Sequence, residues 1–405
     1  MPRTTPPREL LSASHNLTHT PITTQLKPTF PYRFAIFEVF RQLFVHDTLY
    51  PCCKHHGTQS EVIERECKLM DMYKSIDLFA GIGGIRMGFD QAFGDDIKTV
   101  FASEIDEPAQ KTYRANYADS FDISGDITQI AADDVPDFDI CLAGFPCQAF
   151  SIAGAKQGFN DSYKGRARGT LFFDTLRICT ERENKPKVIF CENVKGLPMH
   201  DKGNTLKVIV GALKDEGYRV WHKVLNSKDF GVPQNRERIY IVAFREDIAP
   251  DSFTFPDGTK EHVTIRDILE DEPVSSKYYL SDVYVETLRK HRERHKSKGN
   301  GFGYQIRDLD GIAGTIVCGG MGRERNLIVD KREHSKVPIT NIKGKINDED
   351  IRKMTPREWA RLQGFPDTYR LPLSDTQHYK QFGNSVTVPV VRAIAENIKE
   401  VLDNE

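Results

Sequence analysis

Between Tyr73 and Arg245, short apolar runs alternate with longer amphipathic stretches, and this constrains the fold more than any other feature of the chain. "YKSIDLFA" reads as a strand and "GIRMGFDQAFG" opens a helix. "TVFASEI" is a strand and "EPAQKTYRANYA" a helix. "DFDICLAGF" is a strand, "GTLFFDTLRICTERE" a helix, "PKVIFCENV" a strand, "GNTLKVIVGALKDEG" a helix and "RIYIVAFRE" a strand. This alternation predicts an α/β fold with a doubly wound, Rossmann-like sheet. Ligands of such sheets bind at the carboxyl ends of the strands, so the loops on that edge are where chemistry is expected.

The rest of the chain divides around this block. Residues 1–72 lack the alternation and read as an N-terminal extension, with 73–245 the catalytic block. The cluster "CCKHH", Cys52 to His56, with Cys67, has poor spacing for a tetrahedral zinc site, so no metal is expected. Residues 246–370 mix strand and turn signals with a basic run, "LRKHRERHKSKGNGFGY", and read as a smaller inserted domain. Residues 371–405 return to a loop and an amphipathic helix, "QFGNSVTVPVVRAIAENIKEVL". The formal net charge is -2, so any nucleic-acid contact must come from local basic patches. Eight cysteines in 405 residues, with no C-x-x-C pair, do not make a disulfide scaffold, which points to reduced thiols in the cytoplasm. The most apolar early run is broken by Arg33, Glu38 and Arg41, and no membrane span is expected.

Several strand ends carry chemistry. In "DLFAGIGG", Gly81 and Gly83 let backbone amides approach a ligand at a helix N-terminus. The dinucleotide fingerprint fails at its third glycine, where Arg86 stands, which disfavours nicotinamide or flavin binding. Glu104, about twenty residues further on, ends the next strand where a carboxylate can hold two ribose hydroxyls. Asp126 is expected at the end of a third strand, placed for an adenine amino group. Together they suggest a nucleoside-bearing cofactor; a tight structural turn with two surface acids is the alternative. In "LAGFPCQAFS", Cys147 follows a strand past Gly144 and Pro146, on the ligand edge, and is either a nucleophile or a buried filler. Cys141, Cys179 and Cys191 lie inside apolar runs and read as packing residues. Glu192 ends another apolar run, where it can handle a proton on a substrate. Arg236 and Arg238, two apart at a strand start, are expected on one face, to bind a carbonyl oxygen and a phosphate.

With those residues in hand, the chain resembles the DNA (cytosine-5)-methyltransferases of bacterial restriction-modification systems. "DLFAGIGG", "GFPCQAFS", "GTLFF", "ENVKGL", "QNRERIYIVAF", "RKMTPREWARLQGFP" and "QFGNSVTVPV" follow in that family's order. Ala149 stands where many relatives have proline, and Trp359 where a small residue is common. The resemblance implies an S-adenosylmethionine-dependent methyltransferase sheet with an inserted target-recognition domain. It implies a cytosine flipped out of duplex DNA, attacked at carbon 6 by Cys147 and methylated at carbon 5. Glu192 would act on ring nitrogen 3, and Arg238, supported by Arg236, on the base carbonyl and the adjacent phosphate. Phe79, Gly81 and Gly83 would line the cofactor, with Glu104 on its ribose, Asp126 near its adenine, and Pro146, Leu171, Asn384 and Ser385 as further wall. Gln148 and Ser151 would brace the flipped nucleotide. Gly314 to Val329 would read bases through Arg323 and Arg325, unless it is a structural hairpin, and the basic run would contact phosphates. A monomer is expected, with a restriction endonuclease of the same site specificity as functional partner. An RNA cytosine-5 methyltransferase and an inactive DNA-binding relative are the alternatives.

Overall fold

The computed structural model describes residues 72–146, 171–259, 261–319, 322–338 and 344–404, together with the backbone of 162–163 and 166–167. Six strands build the central sheet: β1 (Tyr73–Leu78), β2 (Ile97–Ser103), β3 (Ile140–Ala143), β4 (Val188–Val194), β5 (Tyr218–Asn226) and β6 (Glu237–Arg245). Their order is β2-β1-β3-β4-β6-β5. The β1/β2, β1/β3 and β3/β4 pairs are parallel, and β6 runs antiparallel to both β4 and β5. β3 and the first four residues of β4 are apolar because both faces are covered: Ile140 to Ala143 and Val188 to Cys191 are all buried.

Helices cover the two faces. On one side Ile76, Leu78, Cys141 and Cys191 pack with α3 (Leu171–Thr180) and α4 (Asn204–Asp215). On the other, Phe190, Tyr240 and Phe244 pack with α1 (Gly84–Phe93) and the final helix, α8 (Val388–Asp403). α8 presents Val390, Val391, Ile394, Ala395, Ile398 and Leu402 as one apolar stripe of helical period. Its approach to α1 needs Gly88, where a Cβ would lie 2.6 Å from the Val391 side chain. The C-terminal helix thus packs on the sheet. α2 (Glu107–Asn116) follows β2; Asp106 caps it, accepting from the Ala109 amide.

Two elements differ from expectation. β5 has no apolar run to announce it: it is the edge strand, and only Tyr218 and Leu225 along it are buried. The third strand expected before Asp126 is reduced to a single parallel bridge, Ser103 to Ser124. Asp126 instead caps a short turn, accepting from the Thr128 amide at 3.0 Å and the Thr128 hydroxyl at 2.8 Å.

The region after Glu246 contains α5 (Asp282–Ser297), a ribbon of β7 (Leu327–Val329) against β8 (Ile351–Lys353), and α6 (Pro356–Leu362), and is followed by α7 (Asp375–Asn384). Its core joins Ile316, Ile328, Met354, Trp359 and Phe365 to Phe382 of α7 and to Ile82 of the glycine-rich turn. Trp359 fills this core edge-on to Tyr379, which accounts for a large residue there. Beneath it Arg352, fully buried, bridges Asp330 at 2.8 Å and Glu358 at 2.7 Å. Burial pushes the Asp330 carboxyl up, but the Arg332 and Arg352 guanidinium groups outweigh that and hold it well below its ordinary range.

Candidate active site

β1 has β2 on one side and β3 on the other, so the chain leaves β1 at the point where the winding direction changes. The crevice of a doubly wound sheet opens at such a point. The turn after β1 is left-handed at Phe79 (φ 55°), Gly81 (φ 56°) and Gly83 (φ 77°). A Cβ on Gly83 would sit 2.3 Å from the Tyr117 ring, and one on Gly84 2.7 Å from the Ser385 hydroxyl. Both glycines are therefore required by close approach, and Ser385 is brought against the turn from the far end of the chain.

Glu104 lies across the turn. Its carboxylate accepts from the Gly81 amide at 2.8 Å and from the Asp106 amide at 2.7 Å. Burial pushes its pKa up, against the pull of those backbone donors. Ile105 beside it is 65% exposed, an apolar platform at the rim that sequence reasoning passed over; a lone apolar residue between Glu104 and Asp106 was its only signal. Asp77, one residue before the end of β1, is buried, one carboxylate oxygen has no partner, and burial raises its pKa to about 8. Arg86, at the failed fingerprint position, is held by Asp119 at 2.6 and 2.8 Å and by the Tyr113 hydroxyl at 2.9 Å, and lies over the Tyr117 ring. A buried, fully engaged arginine thus stands where the dinucleotide fingerprint has a glycine for close helix–strand packing.

β3 delivers the second half of the site. Gly144, Phe145 and Pro146 follow it; Cys147, Gln148 and Ser151 lie outside the described residues. Phe145 is buried against Phe172 of α3, and its carbonyl accepts from the Asn193 amide side chain at 3.3 Å. Asn193 thereby ties the end of β4 to the approach to Cys147, a role the sequence did not suggest. Leu171, at the start of α3, is half-buried and packs with Phe79 on the same core. Asn384, the last residue of α7, is exposed. Asp126 is half-buried and bound to its own turn.

Glu192 and Arg238 meet at the end of β4, with Arg238 Nε 3.1 Å from Glu192 Oε1 and side chains only 14% and 13% exposed respectively. Burial raises the Glu192 pKa, and Arg238 and then Arg236 oppose the rise. Arg236 and Arg238 differ in their partners. β6 begins at Glu237, just after Arg236. Arg236 is buried and donates to the carbonyls of Ile316 at 2.9 Å and Ser385 at 2.5 Å, and burial lowers its pKa to about 9.

Cys141, Cys179 and Cys191 are fully buried packing residues. Burial pushes the Cys141 and Cys191 thiols up, away from thiolate character. Arg323 and Arg325 are half-buried around a short turn, over the rings of Tyr379 and Phe302 at 5.4 and 5.8 Å. The start of their segment is no hairpin: Ala313–Gly314 pairs in parallel with Gln234–Asn235. Among the described residues, no helix is long and apolar enough to cross a membrane.

A mostly parallel sheet of this order, with a glycine turn at the switch point and an acid at the end of the neighbouring strand, defines a Rossmann-like methyltransferase. The chain belongs to the C-5 cytosine-specific DNA methylases, whose family profile matches residues 73–400. It is 55% identical over 345 residues to the type II methyltransferase M.HpaII of Haemophilus parainfluenzae, across 84% of this chain and 93% of that protein. It is 46% identical over 332 residues to the type II methyltransferase M.NlaX of Neisseria lactamica, across 82% of this chain and 97% of that protein. In fold it is similar to the Dnmt2 methyltransferase of S. pombe, with a TM-score of 0.61 at 20% identity over 82% of this chain and 99% of that one. The reaction is methyl transfer to carbon 5 of cytosine, and DNA is the substrate.

Proposed function

We propose that the methyl donor is S-adenosylmethionine and that it occupies the crevice between the glycine turn and Glu104. The residues suit such a cation. The Glu104 carboxylate supplies negative charge, the unpartnered Asp77 oxygen a buried hydrogen-bonding atom, Ile105 an apolar seat for a base, and the left-handed turn brings backbone close to the ligand. When bound, the cofactor supplies an electrophilic methyl group. Phe79, Pro146, Leu171, Asn384 and Ser385 complete the wall in this reading, with Asp126 at the adenine end.

The chain's own residues activate the cytosine. The Cys147 thiolate adds to carbon 6, and the ring electrons move toward carbon 5. Glu192, whose buried carboxyl holds a proton more readily than an exposed one, hydrogen-bonds or protonates ring nitrogen 3 and so draws charge out of the ring. Arg238 keeps Glu192 in place and donates to the base carbonyl. After carbon 5 has gained its methyl group, it loses its proton to a base. The carbon 6–sulfur bond then breaks and releases the thiolate. Gln148 and Ser151 brace the flipped nucleotide, and residues 246–370 recognise the site, with Arg323, Arg325 and the basic α5 facing DNA. The biological role is marking a site against an endonuclease of the same specificity.

One observation carries this reading: a carboxylate–guanidinium pair, Glu192 with Arg238, stands at the end of β4, tied through Asn193 to the segment that leads to Cys147. Incubation with labelled S-adenosylmethionine and either duplex DNA or structured RNA tests it. Label on carbon 5 of DNA cytosines is the expected result; label on RNA alone would overturn the reading.

A further inference from the structure

Gln234 and Arg236 immediately precede the strand that carries Arg238, and each side chain holds main chain far away in the sequence. Both are buried, and both hold the backbone of the same distant residue, Ile316, on either side of its Cα. The Ile316 amide donates to Gln234 Oε1 at 3.1 Å, and Arg236 Nη1 donates to the Ile316 carbonyl at 2.9 Å. Backbone pairing of Ala313–Gly314 with Gln234–Asn235 extends the contact, and the Thr315 hydroxyl donates to the Asn235 carbonyl at 2.6 Å. The other ends of both side chains reach further. Gln234 Nε2 donates to the Leu362 carbonyl at 2.8 Å, and Arg236 Nη2 to the Ser385 carbonyl at 2.5 Å. Gly383 sits directly on the strip, since a Cβ there would lie 2.3 Å from the Cys318 amide nitrogen. Arg236 Nε is buried without an acceptor, so the fork is committed to main chain and not to a carboxylate.

The segment clamped in this way leads within ten residues to Arg323 and Arg325, and the clamp itself lies two residues before Arg238. We propose that Gln234 and Arg236 are positioning residues: they lock the strip that leads to the recognition arginines in register with the Glu192–Arg238 pair and with the Ser385 wall, so that docking on the correct DNA sequence aligns the catalytic groups. Arg236 acts through the main chain and makes no contact with phosphate. The proposal rests on the reading of the reaction given above.

Two near-isosteric variants test it. Gln234→Met removes the acceptor for the Ile316 amide, and Arg236→Lys keeps the charge but loses the planar fork. Active enzyme is titrated by its covalent adduct with a duplex carrying 5-fluorocytosine, so misfolded protein does not enter the rates. The clamp predicts that kcat on the correct site falls about tenfold to a hundredfold, the scale of a small misalignment of reacting groups. DNA affinity should stay within about threefold and keep its dependence on salt, because no phosphate contact is lost. The kcat ratio between the correct site and one changed by a single base pair should narrow. Wild-type kcat and selectivity in Gln234→Met, or full activity in Arg236→Lys, would overturn the clamp; if Arg236→Lys fails to fold, Gln234→Met decides alone. A wild-type enzyme that gave no adduct would instead overturn the reading of the reaction.

Discussion

Replacing Arg238 by Met leaves the Glu192 carboxylate buried without its cation. The pair is 3.1 Å apart with both side chains largely shielded, so its electrostatic interaction is of order 5 kcal/mol at the effective dielectric of a partly buried site. Removing one partner of such a pair typically costs about 3–5 kcal/mol. The cost has a definite pH dependence. An unfolded Glu titrates near about 4.3, and the folded carboxyl is already raised by burial, further still once Arg238 is gone. Loss of stability is therefore small near the unfolded value, where Glu192 is neutral in both states, and grows as pH rises toward the folded value. Trp221 on β5 and Trp359 on α6 report on both halves of the protein. Urea unfolding followed by their fluorescence should show a deficit of about 3–5 kcal/mol at pH of about 8 that shrinks at pH of about 5. Adding Glu192→Gln should recover most of it. A deficit of equal size at both pH values, or no recovery in the double variant, would refute the argument.

Further outcomes follow from the same geometry. Cys147→Ser should abolish methyl transfer while S-adenosylmethionine binding, measured calorimetrically, stays close to wild type. Gly83→Ala forces a methyl group into the Tyr117 ring at a left-handed position and should cost about 2–5 kcal/mol in unfolding experiments, with weakened cofactor binding. Asp77→Asn removes a buried carboxyl whose pKa is raised to about 8; the stability gained relative to wild type should grow as pH climbs from about 5 to about 8, and a gain that did not vary with pH would refute the assignment. Deleting residues 1–69 should leave turnover unchanged in a methylation assay.

What could be read in advance follows from burial. β3 and the first four residues of β4 are covered on both faces, so their text is continuously apolar; the glycine turn follows β1, the approach to Cys147 follows β3, and Glu192 stands near the carboxyl end of β4. β5 lies at the edge with polar residues along its length, and nothing in its composition marks it. The hydrogen-bond partners of Arg236, the carbonyls of Ile316 and Ser385, are 80 and 149 residues away in the chain. No local pattern encodes contacts of that separation. Ile105 escaped because a single exposed apolar residue has no periodicity, and Asn193 because its partner is a backbone carbonyl. Trp359 was conspicuous as a letter but gained its meaning only as filling for a core shared with the glycine turn.

The central claim is that the sulfur of Cys147 becomes covalently joined to the target base. A duplex bearing 5-fluorocytosine at the methylated position cannot shed its fluorine as a proton is shed, so the thiol cannot be expelled. With S-adenosylmethionine present, a protein–DNA species should survive on a denaturing gel, with peptide mass spectrometry placing the link at Cys147 and none forming in Cys147→Ser. A wild-type enzyme that methylates ordinary duplex yet leaves no such species, or a link at another residue, would contradict the account.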